Sequence, residues 1–305
     1  MGVIGTVGLG ESIDMQTKES SAMQTKPALA AVIGAPVGHS LSPAIHNAAF
    51  REVGLPWVFV AWEVPDGYAR EALASMERFG IAGLSVTMPH KSAVAEAVDS
   101  LTEEAKTLNA VNCVVCKTDG ETELVGHNTD GYGLITSLRE DLAFNPDGST
   151  CLILGAGGAA RAAVLALAQA GAARIAVANR TPERAEQAAA LAGDKGEVVA
   201  PDTAGEFDLV INATPLGMGK LTGETPISPM LLHPDQTVLD LIYDPPETPF
   251  LTQARSKGIK AHNGLGMLIH QAARAFELWT SHPAPIQAMT VAASQGAVAS
   301  QSSAS

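Results

Sequence analysis

Aromatic side chains make up only 4% of this 305-residue chain, cysteine occurs three times, and positive charge is scarce, with 19 Lys and Arg against 32 Asp and Glu for a net charge of −13. The aromatic shortage leaves a core built mainly from Ala, Val, Leu and Ile, a usage that suits α/β layers and tells against an all-β jelly roll. The 29 glycines follow no three-residue period, which excludes a collagen-like chain. The shortage of positive charge argues against nucleic acid or an anionic membrane as the main partner, so any anionic ligand must meet a local basic site. No apolar run reaches the roughly 18 residues of a membrane span, and the N-terminus lacks a basic patch followed by an apolar stretch and a small-residue cleavage site.

Cys113, Cys116 and Cys151 form an odd set, which favours a reducing, cytoplasmic setting over a disulfide framework. Cys113 and Cys116 spell C-x-x-C inside a β-branched run, where residues three apart point to opposite faces of a strand, so metal or redox pairing is the minority reading. His39 and His46 stand seven residues apart with no carboxylate or thiol near them in sequence, so no metal site is expected. His46 is expected to satisfy a buried hydrogen bond, and His39 to shape the turn that follows it.

At 46% hydrophobic, the chain can bury a core of its own, and its length predicts two domains. Residues 1–27 and 292–305 carry mixed small and polar residues without a period and read as poorly ordered tails. Between them, residues 29–33, 57–62 and 81–86 read as strands and 68–79 as a helix. From Thr150 the rhythm sharpens: strand 151–154, helix 160–170, strand 174–178 and a helix opened by Thr181-Pro182. The runs 208–211 and 237–242 continue the series as the unbroken apolar strands that a parallel sheet requires. A boundary is expected near Asp130, where a polar loop meets Leu134, Leu138 and Leu142 at four-residue spacing.

Leu154-Gly155-Ala156-Gly157-Gly158-Ala159-Ala160 fits G-x-G-x-x-A directly after a strand and at the opening of a helix. Gly155 permits the tight turn, Gly157 lets backbone approach a pyrophosphate, and Ala160 packs helix on sheet, with the phosphates facing free N–H groups at the helix start. An NAD site usually places Asp or Glu at the end of the second strand. Here that strand ends Ala178-Asn179-Arg180-Thr181-Pro182-Glu183-Arg184, with two guanidinium groups where the acid would stand. Arginine suits bidentate phosphate binding, and a cation in the first turn of a helix needs a compensating anion, so the loop points to NADP.

The first half carries a dense polar set: His39-Ser40-Leu41-Ser42-Pro43, Val86-Thr87-Met88-Pro89-His90-Lys91, Ala110-Val111-Asn112 and Asn128-Thr129-Asp130. An extended backbone at Ser40 and Ser42 would set both hydroxyls on one side, able to grip a carboxylate. Taken singly, Lys91 also fits a surface lysine at a helix start and Asp130 the N-cap of the next helix. In order, however, these segments and the later Asn212-Ala213-Thr214-Pro215-Leu216-Gly217-Met218, Tyr243-Asp244-Pro245 and Gly266-Met267-Leu268-Ile269-His270-Gln271 resemble the shikimate dehydrogenase family over about four fifths of the chain.

The resemblance implies two α/β domains with an active-site cleft between them. Residues 28–129 and 263–291 would form the substrate-binding domain and 130–262 a Rossmann-type NADP-binding domain. It implies NADP(H)-dependent reduction of 3-dehydroshikimate to shikimate, with Lys91 and Asp130 as the catalytic pair and Ser40, Ser42, Thr87, Asn112, Tyr243 and Gln271 on the substrate. Gly155, Ala156, Gly157, Gly158, Ala159, Asn179, Arg180, Thr181, Arg184, Thr214, Met218, Ile242 and Gly264 would hold the cofactor. Ser85 stands where the family commonly has Asn, and Cys113 where it commonly has Thr. Ser85 shortens a polar reach beside Thr87, which leaves a relative acting on quinate or an aminated shikimate as the alternative. A non-catalytic NADP sensor is a further alternative, against which the presence of both Lys91 and Asp130 speaks. Monomer and homodimer both remain open.

Overall fold

The computed structural model describes residues 1–2, 26–117 and 122–302. Most of the expected N-terminal tail, residues 1–27, lies outside the described residues. The first half runs β1 (Ala28–Gly34), α1 (Ser42–Glu52), β2 (Trp57–Glu63), α2 (Ala69–Phe79), β3 (Ile81–Val86), α3 (Lys91–Ala95), β4 (Ser100–Leu101), α4 (Glu103–Leu108), β5 (Cys113–Lys117) and β6 (Glu123–His127). The second half follows with α5 (Asp130–Thr136), β7 (Thr150–Leu154), α6 (Gly158–Gln169), β8 (Arg174–Ala178), α7 (Pro182–Ala189), β9 (Gly196–Val198), β10 (Leu209–Asn212), β11 (Thr237–Asp240), α8 (Pro249–Ser256), β12 (Lys260–Asn263), α9 (Leu265–Thr280) and α10 (Ile286–Ser302).

The strands form two six-stranded sheets. The first has the order β2-β1-β3-β5-β6-β4, parallel from β2 to β3 and antiparallel where β5 meets β3 and β6. The second has the order β12-β11-β10-β7-β8-β9 and is parallel throughout. That is the doubly wound order in which the chain reverses direction between β7 and β10, and a ligand crevice opens beyond the carboxyl ends of those two strands. Helices must cover both faces of such a sheet, which is why β7, β10 and β11 are nearly continuous buried apolar runs.

One aromatic cluster lies on one face of the first sheet. Phe50 and Phe276 meet at 5.5 Å, and Phe59 and His46 join them beneath α1 and α9. The core between α5, α6 and the second sheet is instead Ala, Val, Leu and Ile. α5 lies between the two sheets and is clamped by close approach: a Cβ on Gly131 would sit 2.9 Å from the Ala166 Cβ of α6, and one on Gly133 would sit 2.7 Å from the Met267 carbonyl oxygen of α9. A side chain at Gly131 would push α5 away from α6, and one at Gly133 would push it away from α9.

The C-terminal expectation is corrected here. Residues 292–302 belong to α10, whose Met289, Ala293 and Ala297 are buried against α1 and α9. Their spacing of four makes one helical face, and alanine is the best intrinsic helix former, so one methionine and small side chains seat this helix.

Candidate active site

Lys91 is the first residue of α3, placed there by the loop that leaves β3, and its backbone carbonyl accepts from Val111 N at 2.9 Å. Asp130 opens α5, where its N–H donates to Asn128 Oδ1 at 3.1 Å. Thirty-nine residues apart in sequence, the two meet with Lys91 Nζ 2.5 Å from Asp130 Oδ2, and their side chains are 24% and 10% exposed. The other carboxylate oxygen, Oδ1, accepts from Asn112 Nδ2 at 2.7 Å. Asn112 is buried, and its amide nitrogen also reaches Thr129 Oγ1 at 3.0 Å and Gln271 Oε1 at 3.4 Å. Thr129 returns a backbone N–H to Asn112 Oδ1 at 2.7 Å and donates its hydroxyl to the Gln271 carbonyl at 3.1 Å. One polar network thus ties α3, the start of β5, α5 and α9 together, and satisfies the carboxylate on both oxygens.

This network forms the floor of a cavity of about 420 Å³, whose rim includes Ser40, Ser42, Thr87 and Tyr243. Burial pushes the Tyr243 phenol up from its ordinary value, with the Asp244 carboxylate adding to the effect, so the hydroxyl stays protonated. Ser40 and Ser42 share the rim for a reason other than an extended backbone. Ser42 is already the first residue of α1, and its N–H donates to Ser40 Oγ at 3.2 Å, so the turn into the helix brings them together.

Across the cleft stands the glycine loop. Gly155 has φ +113°, and a Cβ there would lie 2.9 Å from the Ala213 carbonyl oxygen, so both conformation and space require glycine. Gly157 caps α6 without a side-chain hydrogen bond, and Gly157 and Gly158 have nothing within 4 Å of an added Cβ. The start of α6 thus has no side-chain cap and open space beside its first glycines, which leaves room for backbone to approach a pyrophosphate at the helix N-terminus. Beside the loop a second cavity of about 510 Å³ is bordered by Gly155, Asn179, Arg180 and Thr214. Asn179 Nδ2 donates to the Thr181 carbonyl at 2.9 Å, which fixes the turn. Among the described residues neither Arg180 nor Arg184 has a hydrogen-bond or ion-pair partner. The residues present fit a dinucleotide with an additional phosphate.

Three family models match the chain: the shikimate dehydrogenase substrate binding domain over residues 32–114, the shikimate / quinate 5-dehydrogenase over 138–216 and the shikimate 5'-dehydrogenase C-terminal domain over 264–292. The shikimate dehydrogenase (NADP(+)) of Methanopyrus kandleri is 43% identical over 273 residues, covering 85% of this chain and 92% of the relative. The chain belongs to the shikimate dehydrogenase family. Its counterpart from Moorella thermoacetica is 44% identical over 271 residues, 86% of this chain and 90% of its own. The crystal structure of the Thermus thermophilus shikimate 5-dehydrogenase in complex with NADP(H) and shikimate superposes with a TM-score of 0.82 at 36% identity, covering 88% of this chain and 99% of that one.

Within this shikimate dehydrogenase fold the expected site residues divide. Ser40, Ser42, Thr87, Lys91, Asn112, Asp130, Tyr243 and Gln271 all border the 420 Å³ cavity, joined by Ala159, Met218 and Gly264 from the cofactor set. Ala156, Gly157, Gly158, Thr181, Arg184 and Ile242 border neither cavity. Thr181 holds the N-cap position of α7 without a side-chain cap bond. The Ile242 side chain is buried, and it is the Ile242 carbonyl that accepts from Gly264 N at 3.0 Å. Of the two departures from the family pattern, Ser85 borders the cavity, whereas Cys113 is buried beside Trp279, where desolvation pushes its thiol well above the ordinary range.

His46 makes no hydrogen bond, against expectation. Both ring nitrogens lack a partner; the ring stacks on Phe59 at 4.4 Å and lies 5.1 Å from Trp279, and burial lowers its pKa to about 3. It serves as a neutral aromatic plate beneath the serine turn.

Two functional groupings had little sequence signal. Thr129 lies inside Asn128-Thr129-Asp130, but nothing in the motif indicates that it joins Asn112 to Gln271. Asn212 ends β10 at the switch point and Asp240 ends the neighbouring β11: Asn212 Nδ2 donates to Asp240 Oδ1 at 2.9 Å, Thr248 Oγ1 to Asp240 Oδ2 at 2.7 Å, and Thr214 Oγ1 to Asn212 Oδ1 at 2.7 Å. Burial pushes the Asp240 carboxyl up, partly offset by the Thr248 hydroxyl, the Ile242 N–H and the Asn212 amide that donate to it. A polar residue closing an apolar parallel strand is the signal that could have found this brace.

Proposed function

We propose that the protein catalyses the reversible reduction of 3-dehydroshikimate to shikimate with NADPH. The observation that carries the reading is the Lys91–Asp130 pair at 2.5 Å, set in the floor of a polar cavity that faces a glycine loop and an unpaired arginine. The bound dinucleotide supplies the hydride that converts the ketone carbon to a carbinol. The developing alkoxide then needs a proton, and Lys91 donates one from Nζ or holds the oxyanion through it; in the oxidative direction the same nitrogen takes the proton back. Asp130 fixes that nitrogen and accepts from a ring hydroxyl, while Asn112 keeps the carboxylate aimed. Ser40 and Ser42 hold the substrate carboxylate, and Thr87, Tyr243 and Gln271 engage ring oxygens. Arg180 meets the additional phosphate that separates NADP from NAD, with Thr181 beside it in the loop and Arg184 adding positive charge from the next helical turn. The odd set of three cysteines supports a cytoplasmic setting, and no helix among the described residues is long and apolar enough to cross a membrane.

Ser85 on the cavity wall favours one second reading, a preference for quinate or an aminated shikimate, because a shorter side chain leaves room beside Thr87. A spectrophotometric comparison of shikimate and quinate, each with NADP+ and NAD+, separates the two. Shikimate with NADP+ is expected to give the highest kcat/KM. A higher value for quinate with NAD+ would overturn both the substrate and the arginine arguments.

A further inference from the structure

Behind the catalytic turn lies a cavity of about 530 Å³ that the reaction does not use. The turn from Asn128 to Tyr132 forms one wall, with Leu108 and His127 on the substrate side and Leu165 and Gln169 of α6 on the other. Thr129 belongs both to this wall and to the Asn112–Gln271 network, so an occupant would touch the turn that carries Asp130.

Three observations give the cavity a ligand chemistry. Arg139 and Arg274, far apart in sequence, both border it in a protein of net charge −13. The Arg139 side chain has no ion-pair or hydrogen-bond partner among the described residues, and Arg274 lies over the Tyr132 ring at 5.5 Å while one guanidinium nitrogen reaches Glu277 Oε2 at 3.4 Å, leaving its other nitrogens to face a ligand. The neighbouring His127 is held below its ordinary pKa, first by burial and then by the charges of Lys117 and Arg274, with Glu104 opposing them. The two arginines thus outnumber Glu104, the one carboxylate bordering the cavity among the described residues. Ile135, Leu165 and Leu278 supply an apolar stretch of wall beside the polar Glu104 and Gln169, and the volume falls within the roughly 300–1,000 Å³ of small-molecule pockets.

We propose that this rear cavity is a second ligand site for a small ring-bearing monocarboxylate, its carboxylate held by Arg139 and Arg274 and its ring seated on the Ile135, Leu165 and Leu278 wall. The site goes beyond the proposed reaction and does not depend on it.

Benzoate is the probe, followed by the imidazole signals of His127 in the full chain, since His127 borders this cavity and not the catalytic one. Saturable binding near about 1 mM is expected, with the His127 pKa moving up as the anion offsets the charges around it. The Arg139→Gln variant removes a side chain that has no partner of its own, so its fold and turnover should be retained, while benzoate affinity should fall about tenfold. The absence of a saturable His127 response up to about 20 mM benzoate would overturn the site. Unchanged affinity in Arg139→Gln would overturn the assigned carboxylate contact, and an equal response to inorganic phosphate would overturn the role of the ring.

Discussion

The two sides of the cleft are built on opposite plans. On the substrate side every charge is matched before any ligand arrives: Lys91 meets Asp130, Asp130 meets Asn112, and Asn112 meets Thr129 and Gln271. On the cofactor side the helix start has no side-chain cap, and Arg180 and Arg184 have no partner among the described residues. A group that must transfer a proton in a defined direction benefits from preorganised partners. A site that must capture a polyanion reversibly benefits from donors left open until it binds, since any internal partner would have to be displaced first.

Substitutions can break this contrast, and their expected effects decrease from the floor of the catalytic cavity outward. Lys91→Ala removes the side chain positioned to exchange the proton, so kcat should fall by about 10²–10⁴-fold while NADP+ still binds, as steady-state kinetics and cofactor titration would show. Near-normal turnover would take Lys91 out of the mechanism. Arg180→Ala should raise the KM for NADPH by about 10- to 100-fold, the worth of a charge-assisted hydrogen bond, and leave NADH kinetics nearly unchanged. An equal loss with NADH would mean that Arg180 supports the loop rather than reading the phosphate.

Thr129→Val tests the matched side by removing a hydroxyl and keeping its shape. Asn112 and the Gln271 carbonyl each lose a partner, so kcat should fall about tenfold, with the KM for NADPH unmoved. Thr129→Ser, which restores the hydroxyl, should recover most of the loss. If the serine variant is as slow as the valine one, the residue acts through packing and the network description fails.

The contrast also explains which features are legible in the sequence. The glycine loop and the basic loop are local: the residues that open the site are adjacent in sequence, and the strand-then-helix context gives each a mechanical role. The parallel sheet is legible for the same reason, because its strands are unbroken apolar runs. The matched side is non-local. Asn112, Thr129 and Gln271 lie on three elements, and which amide meets which hydroxyl depends on α5 being pinned through Gly131 and Gly133. β4 and β9 span two and three residues, too short for any period to show. α10 escapes a reading of the sequence because its buried face is mostly alanine, which carries helix propensity but little hydrophobic contrast. His46 defeats the expectation of a hydrogen bond because a ring among other rings can be buried for its faces rather than its nitrogens.

The smallest expected effect concerns Arg184, the position that separates an open donor from a bystander. It is the third residue of α7, exposed, and borders neither cavity, whereas Arg180 borders the cofactor one. A cation in the first turn opposes the helix dipole, so Arg184→Ala should gain about 0.3–1 kcal/mol of stability in denaturant titration. Its attraction to a phosphate acts through solvent, so the KM for NADPH should rise no more than about threefold at low salt, and the difference should vanish near 1 M salt, where screening extends only about 3 Å. A rise as large as that for Arg180, persisting in salt, would show that the guanidinium swings onto the phosphate when the cofactor binds. The open side would then comprise two converging arginines rather than one arginine and a distant charge.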